Sequence, residues 1–201
     1  MKYYYPEFKP VKKEIRIIGI DDSPFTRGQK DPLLVIGTVH RGSQDIEGIL
    51  TTKITIDGED STDQLIQMIN RSRHKEQLQA IMLDGIAVGG FNVIDIKELS
   101  DRTRLPVLVI MRRKPNMHKV VQALSHVPNF RKRLRLMENA GTIRELKLES
   151  GSLFFQRKGI SVEKAREIIL VSIRRGHMPE PIRCSHLIAA GIALGESKGG
   201  P

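Results

Sequence analysis

Two aspartates stand where apolar runs stop. Asp21 closes "EIRIIGID", and Asp84 closes the first half of "LQAIMLDGIAVGGFNVIDI". If these runs are neighbouring strands, roughly 4.8 Å apart, the two carboxylates project side by side from one edge of a sheet. Such a pair repels, so one acid keeps its proton unless a cation sits between them. Magnesium or manganese suits that place, taking oxygen ligands while leaving positions for water and phosphate. Gly85, Gly89 and Gly90 would let the backbone pass close to a bulky ligand, and Asn92 would add a neutral hydrogen bond. The chemistry is then that of a phosphate-handling metal site with Asp21 and Asp84 as ligands. Asp-Gly is equally an ordinary strand-ending turn, so placement of the strands decides between the two. Asp22 points to the opposite face from Asp21 and reads as a turn former or a partner behind the ligands.

The elements that must position these acids follow from periodicity. "EIRIIGID", "PLLVIGTVHRG" and "IEGILTTKITIDG" read as three strands with short connections, an antiparallel meander. In "STDQLIQMINRSR" the period changes to helical, with Leu65, Ile66 and Ile69 on one face and Ser61 with Gln64 as a capping box. "QAIML" and "LPVLVIMR" are short continuous apolar runs, as expected of strands buried on both faces. "VIDIKELSDRT", "HKVVQALSHV" and "FRKRLRLMENAG" read as helices. "IRELKLESGSLFFQRKG" is a hairpin turning at Ser150-Gly151. Ser161 caps "VEKAREIILVSIRRG", and "PEPIRCSHLIAAGIALGES" forms a last helix.

The order β-β-β-α-β-α-β predicts an α/β chain of ribonuclease H-like fold. Its mixed five-stranded central sheet is flanked by helices, with the C-terminal hairpin and helices added. In that layout the first strand lies beside and parallel to the fourth, making Asp21 and Asp84 neighbours. A flavodoxin-like sheet is the main rival, but it calls for a helix after the first strand, where none is read. The 201 residues form a single domain, 1–201, with residues 1–12 and 195–201 expected to be mobile ends.

Thirty-three Lys and Arg against 23 Asp and Glu leave a formal charge of +10. Such an excess attracts a polyanion, with nucleic acid the usual partner, although a basic solvated surface gives the same count. "RRK" (Arg112, Arg113, Lys114) follows the strand beside Asp84 and is the candidate for phosphate contacts. "RKRLR", on a helix whose apolar face is Leu134 and Met137, reads equally as a solvated face. Tyr3 to Tyr5 are either a base-stacking platform or a disordered end. One cysteine, Cys184, excludes an internal disulfide and a Cys-rich zinc site. No apolar run reaches the ~20 residues of a membrane span, and no signal peptide is present, so the expected location is the cytoplasm.

"IRIIGIDDSPF", "ITIDGEDST", "LDGIAVGGFNVIDI" with "LPVLVIMRRKPN", and "MPEPIRCSHLIAAG" together resemble the archaeal family of small proteins known as endonuclease dU. That family is a distant relative of endonuclease V and shares its ribonuclease H-like fold. The resemblance implies a magnesium-dependent repair endonuclease that nicks DNA or RNA near a deaminated base, with DNA ranked before RNA. It carries Asp21 and Asp84 onto the metal aspartates. It also makes His186 a candidate catalytic residue, where chemistry alone favours a structural histidine. The relative's "YIPG" wedge and the helix Glu behind it are missing; "DGEDSTDQ" stands there, and Asp60 is the substitute for that Glu. The His-Pro after the relative's "DG" is replaced by "VGGFN". These departures support an alternative, a non-catalytic nucleic-acid-binding protein on the same fold. Glu180, between two prolines, reads as a rigid surface turn. A nucleotide site at "GGFN" ranks last, since no Gly-Lys-Ser/Thr follows.

Overall fold

A computed structural model describes residues 11–26 and 28–197. The elements run β1 Arg16–Asp22, β2 Leu33–Arg41, β3 Asp45–Ile54, α1 Ser61–Asn70, β4 Ala80–Asp84, β5 Ala87–Val88, β6 Asn92–Val93, α2 Ile96–Thr103, β7 Val107–Met111, α3 Met117–Leu124, α4 Phe130–Asn139, β8 Arg144–Leu148, β9 Gly151–Lys158, α5 Val162–Ser172 and α6 Glu180–Leu194. The main sheet has the order β3-β2-β1-β4-β7-β9-β8. β1 pairs antiparallel with β2 and parallel with β4, and β4 pairs parallel with β7. The expected five-stranded arrangement is therefore present. The C-terminal hairpin does not stand apart: β9 pairs antiparallel with β7 and extends the sheet to seven strands. That pairing covers the edge β7 would otherwise leave open.

Alternation along the central strands separates two cores. Ile18 and Ile20 of β1, Ile81 and Leu83 of β4, and Val107 and Val109 of β7 pack with Leu65, Ile66 and Ile69 of α1 and with Ile96 and Leu99 of α2. Ile17, Ala80, Met82, Leu108 and Ile110 face the other way, onto Ile168 and Ile169 of α5 and Ile182 of α6. Continuing the period of two puts Asp21, Asp84 and Arg112 on this second face. Val11, within the segment expected to be mobile, packs against that core. Residues 1–10, the tyrosines at 3 to 5 among them, and residues 198–201 lie outside the described residues.

Two helix readings change. Ser61 is the first residue of α1 rather than its cap, and Asp60 at the N-cap makes no side-chain cap bond. The first helical N–H, that of Ser61, is instead accepted by Asn92 Oδ1 at 3.1 Å. On α4 the inward residues are Arg133 and Met137. "RKRLR" is thus not simply a solvated face, because its middle arginine is 3% exposed.

Candidate metal centre

The register of β1 against β4 builds the site. Ile20 is aligned with Leu83, so the next residues along, Asp21 and Asp84, are neighbours at the C-terminal edge of both strands. α6 supplies the third group. It lies directly on β1 because Gly19 has no side chain: a Cβ there would sit 2.2 Å from the Pro181 carbonyl carbon. Thr38 Oγ1 donates to Pro181 O at 2.8 Å and fixes the contact. From Pro181 to His186 the helix rises about 7.5 Å, and from Gly19 to Asp21 the strand advances about 6.7 Å. The imidazole therefore arrives over the carboxylate, with His186 Nδ1 2.8 Å from Asp21 Oδ2. One donor atom from each of Asp21, Asp84 and His186 lies within 4.8 Å of the others, a group able to hold one metal ion.

The electrostatics are those of a cation site. Asp21 is 6% exposed; burial first, then the charges of Asp84 and Asp22, push its carboxyl up to about 8. Burial also raises Asp22 and Asp84, the latter countered by the Arg112 guanidinium. Arg112 Nη2 lies 3.3 Å from Asp84 Oδ2, while its buried Nε has no hydrogen-bond partner among the described residues. Two acids that resist ionising together, with a ring nitrogen beside them, fit a divalent ion better than they fit each other.

The loop after Asp84 is tied to this edge from below. Asp22 Oδ2 accepts from Gly89 N at 3.0 Å, which is the supporting role open to it from sequence. Gly89 O accepts from Asp57 N at 2.8 Å, and Asp57 Oδ1 accepts from Phe91 N at 2.8 Å. Gly89 and Gly90 have φ of +55° and +83°. A Cβ at Gly90 would meet Asp57 Oδ1 at 2.4 Å, so these glycines serve loop closure against Asp57. Past Gly85 an apolar cleft of about 580 Å³ opens, lined by Phe91, Met111, Met117, Met137 and others, with Lys114 at its wall.

Two residues expected at the site are engaged within the fold. Asn92 is fully buried; besides Ser61 it serves Thr55 O and Asp60 Oδ1, leaving nothing for nucleic acid. Asp60 accepts from Thr55 N and Oγ1 and from Asn92. It shapes the turn into α1 and is not in the metal-capable group. Arg113 and Lys114 are exposed, as phosphate contacts require. Glu180 is buried rather than a surface turn, and its Oε2 accepts from Arg183 Nε at 3.0 Å.

Sequence reasoning missed two buried cations or potential cations. Arg133 donates to the carbonyls of Pro128, Gly58, Phe91 and Asp57, joining three segments. Only the absence of acids from the sequence around it could have hinted at a backbone role. His40 on β2 is 1% exposed and neither ring nitrogen has a partner among the described residues. Burial lowers it to about 4, opposed by Glu180 and helped by Arg183. A histidine lowered in the fold adds stability above its unfolded value of 6.5 and loses it as pH falls through 4. The wild type should lose up to about 3 kcal/mol on this account by pH 4. His40→Leu should lack that component in urea titrations at pH 7 and pH 4; equal losses in both proteins would exclude it.

A family model for Endonuclease dU matches residues 13–193. The chain belongs to the endonuclease dU family. Among the family's archaeal relatives, a UPF0215 protein of Methanothermobacter thermautotrophicus is 46% identical, covering 99% of both chains. One of Pyrococcus horikoshii is 42% identical over 94% of this chain and 98% of its own. A crystal structure from Archaeoglobus fulgidus has a TM-score of 0.80 at 40% identity, covering 89% of this chain and 98% of its own. Human ENDOV has a TM-score of 0.55 at 16% identity, covering 85% and 81%. Ciona intestinalis endonuclease V, in complex with a 24mer DNA containing an inosine followed by a ribo-adenosine, gives 0.54 at 14%, covering 84% and 81%. These last two establish that this endonuclease dU family member has the endonuclease V fold, which is ribonuclease H-like. No helix among the described residues is long and apolar enough to cross a membrane.

Proposed function

We propose that the protein is a divalent-metal-dependent endonuclease that hydrolyses phosphodiester bonds of nucleic acid, DNA before RNA, at deaminated bases. The observation that carries this is the convergence of Asp21, Asp84 and His186 at one sheet edge, in a chain of the endonuclease dU family. Asp21 and Asp84 hold the ion, magnesium or manganese. Bound there, it would polarise the phosphodiester and lower the pKa of water for attack. Arg112, held against Asp84 with its Nε unspent, binds a phosphate oxygen. As water adds to phosphorus and the bond to the leaving oxygen breaks, His186 carries a proton at its ring nitrogen. The apolar cleft beyond Gly85 suits a base drawn out of the stack.

One observation favours a second reading, a binding protein without catalysis. Asp60, the residue read as the substitute for the missing helix carboxylate, is committed to Thr55 and Asn92. Calorimetry with Mn²⁺ and cleavage assays on DNA and RNA carrying deaminated bases separate the two. The enzyme binds the ion at a site lost in Asp84→Asn and cuts only with metal present. Ion binding without cleavage on any substrate establishes the second reading, and no ion binding overturns the first.

A further inference from the structure

We infer that the α3–α4 hairpin is a phosphate-binding arm that holds a nucleic-acid strand leading away from the metal centre. The inference rests on the proposed nucleic-acid chemistry and adds the surface that carries the strand. Residues 112–137 contain eight of the chain's Lys and Arg and none of its Asp and Glu, which leaves the other 175 residues with a net charge of only +2. The segment begins at Arg112, the residue against Asp84. It turns its apolar side inward, with Met117, Val120 and Met137 lining the cleft and Leu124 buried.

The cations face outward and are unspent. Arg113, Lys114, Lys119, Arg131 and Arg135 are exposed, and their side chains make no hydrogen bond or ion pair among the described residues. Elsewhere Arg16, Arg41, Arg102, Lys164 and Arg183 each meet a carboxylate, while Arg174 and Arg175 make no ion pair among the described residues, so what sets the segment apart is its lack of acids. Within the segment Arg112 meets Asp84, and Lys132 and buried Arg133 both meet Glu59. Arg131 and Arg135, four apart on α4, share one face of that helix.

The placement also works against folding. α1, α2, α5 and α6 each carry an acid in the first turn, which complements the positive end of the helix dipole. α3 and α4 have none, and bases stand there instead: Lys119 in α3, and Arg131, Lys132 and Arg133 in α4. Cations at a helix N-terminus, crowded among like charges, oppose helix formation. A polyanion across the hairpin relieves both conflicts at once, and a merely solvated face does not.

The test is binding of a labelled duplex DNA with a single-stranded overhang, in chelator so that nothing is cut, as a function of salt. Arg131→Glu with Arg135→Glu should lower the log–log salt slope by about 1.8, at about 0.9 per phosphate lost. Affinity at low salt should fall at least about tenfold. The melting temperature should not fall, because the first change restores an acid to the first turn of α4. Arg174→Glu with Arg175→Glu, an equal charge change on the exposed α5–α6 connection, should leave the slope unaltered. Should the charge reversal impair folding, the glutamine pair at 131 and 135 gives the same reading. An unchanged slope in the arm variant, or an equal fall in the control, overturns the arm while leaving the endonuclease reading intact. Absence of any binding by the wild type overturns that reading and the arm together.

Discussion

Asp21→Asn is expected to abolish divalent-ion binding and metal-dependent cleavage while making the metal-free protein more stable above neutral pH. The amide is isosteric and can keep both local bonds: the carboxylate oxygen that accepts from Asp22 N at 2.9 Å and the one against His186 Nδ1 at 2.8 Å. What it cannot do is hold a negative charge beside Asp84. In the wild type, burial and then Asp84 raise the carboxyl from 3.8 to about 8. A folded-state value raised above the unfolded one gives stability that is present below 3.8 and lost as pH rises through 8. The loss approaches 1.4 kcal/mol per pH unit across that window, a few kcal/mol at its upper end. The asparagine variant escapes it. In chelator its advantage over wild type should be small at pH 4 and large at pH 8, at roughly 2–4 °C of melting temperature per kcal/mol. Saturating Mn²⁺ should stabilise the wild type by mass action and leave the variant where it was. A variant less stable than wild type at pH 8 without metal, or one that still responds to Mn²⁺, would count against Asp21 as a ligand.

What could be read from the chain was whatever depends on local pattern and on the handedness of crossovers. An apolar run ending in an acid, seen twice, sufficed to place Asp21 beside Asp84, because a β-β-β-α-β order leaves few sheets to choose from. Contacts made by one residue across long separations were not legible. Gly19 looks like any strand glycine until Pro181 is seen against it, yet that contact sets the register bringing His186 to Asp21. Ser61 is an acceptable cap by local rules; Asn92, some thirty residues on, takes its N–H and makes it the first residue of the helix. Arg133 sits among four other basic or apolar neighbours in "RKRLR", and helical period alone would turn it inward only if a buried arginine were expected. Its hydrogen bonds all go to backbone carbonyls, which carry no sequence signature. The hairpin was found but not its neighbour, since antiparallel addition to β7 leaves no mark within the hairpin itself.

His186→Ala is expected to lower turnover by about 10²–10⁴, the usual contribution of a positioned acid–base group, with stability and nucleic-acid affinity close to wild type. The side chain is 32% exposed and belongs to neither apolar core, so its removal leaves no cavity to destabilise the fold. Its hydrogen-bond partner among the described residues is Asp21 Oδ2. Two roles share that geometry. If the ring carries a proton, a side chain that only hydrogen-bonds cannot replace it. If it merely holds Asp21 in place, glutamine, which can donate an amide N–H to the same oxygen, should restore most of the rate. We expect His186→Gln to keep Mn²⁺ affinity and leave turnover as low as in the alanine variant. Glutamine rescue of turnover would reduce His186 to a positioning residue. Lost stability with normal turnover per folded molecule would remove it from the chemistry altogether, leaving Asp21, Asp84 and Arg112 as the working edge of the sheet.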